Sequence, residues 1–190
     1  MLSRLFSLIA VLCLLPALHA QSVASARFQV YGGYSMLSNT INGVRGSHQS
    51  MNGWDASIAF PSWHGLRFKV DTFGYMGTNL GAYERPYFIM GGAQYSHRLG
   101  RETVYVEGLG GDGNINKNWG PNKAIGGDAS FSSILGGGLD TPLSRHFAFR
   151  VGGDFQYANF YLETSKFVFY KVPGQPVFFG RLSSGLVWGF

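Results

Sequence analysis

Seven charged side chains in this sequence fall at alternate positions within otherwise apolar segments: Asp55, Arg67, Lys69, Asp71, Glu107, Arg150 and Asp154. Residues two apart share one side of a β-strand. Arg67, Lys69 and Asp71 therefore project together from "LRFKVDTFGYM", opposite Leu66, Phe68 and Val70. Glu107 joins them only if its strand is phased that way, because in "TVYVEGLGG" Val104 and Val106 oppose Tyr105, Glu107 and Leu109. Four acids and three bases nearly neutralise one another. Two kinds of chemistry fit such a set: a hydrogen-bonded ion-pair plug in an enclosed space, or a polar wall along a narrow ion path. Desolvation offsets much of the attraction in a plug.

Catalysis has thinner support. "HQS" places His48, a possible base, two residues from Ser50, a possible nucleophile, but a triad needs an orienting acid as well. The nearest, Asp55, lies five residues further along and on the inward-facing set. His64, His97 and His146 fall near turns, and no two histidines share metal-ligand spacing on one strand. "DGNIN" lacks the downstream Glu and the Gly spacing of a calcium loop and reads as a flexible turn. "GLGGDG", residues 108–113, is not followed by a helix whose N-terminus would hold phosphate. The expectation is no enzyme, no catalytic residue, no metal and no cofactor.

The elements that must position the charges are strands. Period-two alternation recurs in eight segments. "RFQVYGGYSML" sets Phe28, Val30, Tyr34 and Met36 against Gln29, Tyr31, Gly33 and Ser35, and "GWDASIAF" sets Trp54, Ala56, Ile58 and Phe60 against Asp55, Ser57 and Ala59. "PYFIMGGAQYSH" sets Tyr87, Ile89, Ala93 and Tyr95 against Gln94 and Ser96. "ASFSSILGGGLD" gives Phe131, Leu135 and Leu139 against Ser132, Gly136 and Asp140. "FAFRVGGDFQY" gives Phe147, Phe149, Val151, Phe155 and Tyr157 against Arg150, Asp154 and Gln156. In the last segment, "VFFGRLSSGLVWGF", Phe178, Leu182, Leu186, Trp188 and Phe190 oppose Arg181, Ser183, Gly185 and Val187.

Short connections ("PSWHG", "RLGR", "TPLSR") alternate with long ones ("SNTINGVRGSHQS", "TNLGAYER", "DGNINKNWGPNKAIGGD", "NFYLETSKFVFYKVPGQP"). This predicts an up-and-down transmembrane barrel, with short periplasmic turns and long extracellular loops. Strands of about 10 to 11 residues tilted near 40° span the roughly 25 Å apolar band of such barrels. Aromatics gather at both strand ends, Phe60, Trp63, Phe147, Trp188 and Phe190 at one and Tyr34, Trp54, Tyr83, Tyr87 and Tyr157 at the other, as two interfacial girdles would. A soluble lipocalin-like binding barrel would bury the same apolar face, so it stays open as an alternative.

Composition agrees. Only 13% of the 190 residues are charged, 28 are glycine and 16% are aromatic; charged residues ordinarily make up about 25%. The net charge of +5 is scattered, with no basic run to bind nucleic acid. "MLSRLFSLIAVLCLLPALHA" has one early positive charge, Arg4, before an apolar run too short for a membrane helix, and ends on Ala20. It reads as a signal peptide over residues 1–20, with cleavage after Ala26 as the alternative, then a short segment 21–26 and the barrel over 27–190. The only cysteine, Cys13, lies inside it, so the mature chain has no disulfide.

The last strand, with Phe190, Trp188, Leu186 and Leu182 at alternate positions, resembles the terminal signature of bacterial outer-membrane barrels. "GGGLDTPLSRHFAFRVGGDFQY", residues 136–157, resembles a segment of small OmpA-like and OmpX-like barrel domains. The likeness covers the mature chain, without a peptidoglycan-binding domain. It implies a monomer in the outer membrane of a diderm bacterium. It also implies contact with outer-membrane lipids and lipopolysaccharide, and recognition of the final strand by the barrel-assembly machinery. The expected role is structural or surface-interactive, with a lumen plugged by polar side chains; a porin-like pore is the alternative. The loop "KFVFYKVPGQPVFF" could engage glycolipid phosphates through Lys166 and Lys171, or pack its aromatics on neighbouring loops.

Overall fold

A computed structural model describes residues 26–40, 48–61, 63–79, 82–118, 124–158 and 177–190. Eight strands run Gln29–Thr40 (β1), His48–Ala59 (β2), Leu66–Asn79 (β3), Ala82–Leu99 (β4), Glu102–Asn118 (β5), Ala124–Pro142 (β6), Phe147–Ala158 (β7) and Val177–Gly189 (β8). Each pairs antiparallel with its neighbours in sequence, and β1 pairs with β8 to close a barrel. Past the strand ends, Phe28 and Phe190 exchange backbone hydrogen bonds of 3.0 and 3.1 Å. Residues 1–25, which include the expected signal peptide 1–20, and the last long connection, 159–176, with Lys166 and Lys171, lie outside the described residues.

The register fixes the size of the cylinder. Val177 pairs in turn through Ala158, Ser132, Gly111, Met90, Asp71, Ser57 and Tyr31 to Val187, ten residues further along β8. Eight strands with that stagger tilt by about 40° and have a backbone radius of about 8 Å. The interior then admits side chains but no wide channel.

At one end the connections are short, as the sequence predicts. Gly100–Arg101 joins β4 to β5, with Gly100 at φ 63°, the left-handed backbone that a tight hairpin asks of its first turn residue. His64 and Gly65, at φ 52° and 87°, turn β2 into β3. At the other end two of the four expected long loops are corrected. β3 and β4 run on as paired strands to Asn79 and Ala82, and β5 and β6 to Asn118 and Ala124. "DGNIN" and "GLGGDG" thus lie inside β5 and are neither turn nor loop. Cross-strand hydrogen bonds satisfy the backbone as far as the chain can pair, and nothing in these polar stretches forbids pairing.

Every alternation in the sequence keeps its phase. Val104 and Val106 face out, so Tyr105, Glu107 and Leu109 face in. Crowding inside explains many of the glycines. A Cβ on inward-facing Gly152 would sit 2.5 Å from the Tyr105 hydroxyl, one on Gly138 2.7 Å from it, and one on Gly136 would strike the Asp154 carboxylate. Outward-facing Gly180, by contrast, has nothing within 4 Å. Gly152→Val is therefore expected to cost about 1–3 kcal/mol by overpacking, whereas Gly180→Val costs nothing measurable. The urea midpoint at which the folded, fast-migrating gel band disappears checks both.

Candidate functional site

The charged set sits inside the barrel and condenses into layers. Nearest the short turns, Arg67 donates to the carbonyls of Ala26 (2.8 Å), Phe60 (3.2 Å) and Arg27 (3.5 Å). Arg150 grips Asp140, its direct cross-strand partner, through two bonds of 2.6 and 2.7 Å, with its guanidinium carbon 4.3 Å from the Tyr105 ring centroid. A bidentate guanidinium–carboxylate fork of this kind is the strong form of ion pair.

The middle layer holds Asp55, Lys69, Asp71, Glu107, Asp154 and Arg181. Lys69 lies 2.9 Å from Glu107 and 3.4 Å from Asp71. Arg181 is the hub: its nitrogens approach Asp154 at 2.7 Å, Asp55 and Asp71 at 3.4 Å each, and Glu107 at 3.7 Å. Its guanidinium also lies 4.3 Å from the Phe73 ring centroid. Asp154 and Arg181 are direct cross-strand partners on β7 and β8, so the barrel's register places the hub against its closest acid.

All seven charges named from the sequence are buried and inward. Sequence reasoning left out two. Arg181 and Asp140 were on the correct faces but were not counted with the set, so among the described residues five acids and four bases line the interior. It also missed the layer above. Leu37, Met51, Phe73, Tyr75, Phe88, Met90, Leu109, Ile134 and Phe179 form one buried apolar cluster towards the loop end. Phe73 and Phe88 stack at 4.8 Å, and the Tyr75 hydroxyl lies 2.9 Å from the Ser35 hydroxyl. The interior thus carries an apolar layer besides the polar side chains expected from the sequence. Its signal was present: carrying the phase on from Lys69 and Asp71 puts Phe73 and Tyr75 on the same inner face.

The His48–Ser50–Asp55 constellation is not assembled. Ser50 is exposed and shares its side of β2 with Trp54, whereas Asp55 is buried on the other side; the His48 side chain is outside the described residues. Among the described residues no three histidine, cysteine or acidic side chains gather where they could hold a metal ion.

The outer surface has the opposite character. At the short-turn end six rings run in sequence: Phe68–Phe60 (5.8 Å), Phe60–Phe28 (6.3 Å), Phe28–Phe190 (5.7 Å), Phe190–Trp188 (4.9 Å) and Trp188–Phe147 (6.5 Å). Towards the loop end Tyr34, Trp54, Tyr87, Phe131 and Phe178 are exposed and Tyr157 is half-buried, and the Tyr34 hydroxyl donates 2.5 Å to Asn52. The Tyr83 side chain lies outside the described residues. Between the belts Leu135 and Phe155 are 72% and 78% exposed.

A closed eight-stranded antiparallel barrel, apolar outside and charged within, has the fold of the small OmpA/OmpX-like outer-membrane barrels. Neisserial surface protein A (NspA) superposes with a TM-score of 0.68 at 15% identity, over 87% of this chain and 98% of that one. Ail, the attachment invasion locus protein of Yersinia pestis, superposes with a TM-score of 0.58 at 13% identity, over 87% and 99%. No family model and no curated protein matches the sequence.

Removing one partner from a buried ion-pair network leaves the others uncompensated. Arg181→Met is accordingly expected to destabilise the barrel by about 3–5 kcal/mol, and Tyr34→Phe, on the outer face, by less than about 1 kcal/mol. Urea titration of tryptophan fluorescence separates the two.

Proposed function

We propose that this chain is an outer-membrane β-barrel of a Gram-negative bacterium with a structural or surface-interaction role, that its lumen is closed, and that it is not an enzyme. The observation that carries the reading is the inversion of the usual protein surface. Among the described residues 27 large apolar or aromatic side chains are exposed, while 17 polar or charged residues are buried. A barrel in water has every reason to turn the other way, because contiguous exposed apolar patches beyond a few hundred Å² are rare on soluble monomers. This favours lipid over the lipocalin-like alternative.

Two features support a closed lumen. The ionic layer spans the interior from β2 round to β8, and the aromatic and aliphatic layer lies across it towards the loops. An ion on the barrel axis would have to part salt bridges and then cross the apolar layer. The short turns face the periplasm in this reading, the longer strands and the loops face outward, and lipopolysaccharide surrounds the outer belt. The pattern of Phe190, Trp188, Leu186 and Leu182 serves recognition by the barrel-assembly machinery. One solved complex of Ail contains the heparin analogue sucrose octasulfate. A polyanion at the loop end is the kind of ligand to try first for this chain.

Fractionation with and without boiling, followed by planar-bilayer recording, tests the proposal. The unboiled protein is expected in the outer-membrane fraction as a band of altered migration, and the purified barrel is expected to give no discrete conductance steps. Regular single-channel steps would establish the pore reading instead.

A further inference from the structure

The rim at the short-turn end is strongly basic. Arg27, Arg98, Arg101 and Arg145 are all exposed there. Glu102 is the only acid among the described residues of that rim, since Asp140 is buried against Arg150. Counting these side chains alone, four arginines against one glutamate leave three positive charges in excess at one mouth of the cylinder. His64, His97 and His146 are exposed on the same rim.

The charges are continuous with the aromatic belt. Phe147 and Trp188 belong to the six-ring arc beside His146 and Arg145. Trp63, 73% exposed, packs its ring 5.0 Å from that of His64. Aromatic belts sit at the headgroup level of a bilayer. Turns just beyond such a belt therefore lie where lipid phosphates are densest.

We propose that this rim binds anionic phospholipid headgroups, the guanidinium groups forking onto the phosphates of the leaflet into which the short turns project. The inference rests on the membrane-barrel reading and adds a ligand class and the residues that hold it. Guanidinium matches phosphate geometry through paired N–H donors. Each basic side chain near an anionic membrane surface contributes about 1 kcal/mol, close to a fivefold preference. Continuity with the ring arc favours lipid over an acidic periplasmic polymer, which would need contact with the mouth alone.

The test is electron paramagnetic resonance of the mature barrel refolded into phosphatidylcholine vesicles that carry spin-labelled phosphatidylglycerol or spin-labelled phosphatidylcholine. The expected result is a preference of about fivefold or more for the anionic label in the motionally restricted shell. It should fall towards unity in the R98Q/R101Q/R145Q variant and in high salt, with the folded gel band intact. A barrel that enters the vesicles and restricts both labels equally overturns the inference and leaves the barrel reading standing. A chain that never enters overturns both. Equal restriction together with arginine-dependent retention on purified peptidoglycan sacculi would assign the rim to cell-wall carboxylates, against the lipid proposal.

Discussion

Closure of β1 on β8 is the constraint from which the rest of the structure follows. In hydrocarbon an unpaired amide costs several kcal/mol, so the two edge strands must meet along their length. They do so from Gln29↔Gly189 to Asn39↔Phe179. The meeting register sets the ten-residue stagger, the stagger sets the radius, and the radius sets how many atoms fit inside. Glycine at Gly136, Gly138 and Gly152 is a consequence of that volume, since neighbouring strands deliver Tyr105 and Asp154 into the same space.

The interior is ordered by two solvation regimes. Charges taken from water lose several kcal/mol of hydration each, recovered only with close geometry and further hydrogen bonds. Arg181 meets this by reaching four carboxylates from one guanidinium, and Arg150 by a fork onto one. The apolar layer above presents the Phe73 face to the positive charge of the hub. Such a network contributes to the choice of register as well as to stability, because a one-residue slip of β8 would turn Arg181 outward into the apolar band.

Most of the fold was legible because period two is unambiguous wherever charge alternates with aromatic. Arg67, Lys69 and Asp71 on β3, and Arg150 and Asp154 on β7, are where the sequence said. Glu107 was undecided because valine and tyrosine serve either face of a strand, and only the partners Gln94 and Gly136 settle its side. The hub was missed because one arginine between Gly180 and Leu182 carries no local sign of reaching acids on four other strands. The inner apolar layer was less legible because Phe, Leu and Met serve either face of a strand, and only the closed barrel shows Phe73, Phe88 and Met90 to be inside. The polar stretches at 78–85 and 112–128 read as loops because turn residues and solvated hairpin extensions share a composition; pairing decides between them. The likeness to NspA and Ail, at 15% and 13% identity, shows the fold and leaves the ligand to experiment.

Leu135→Arg gives the most direct test of the account's central claim, that hydrocarbon bathes the outer face. Leu135 points outward from β6, is 72% exposed and lies between the two aromatic belts. Unfolding free energy in bilayers should fall by about 2–4 kcal/mol on this substitution, the cost of an arginine on a lipid face near the midplane. A change within about 0.5 kcal/mol, as expected of a water-exposed site, would contradict the account.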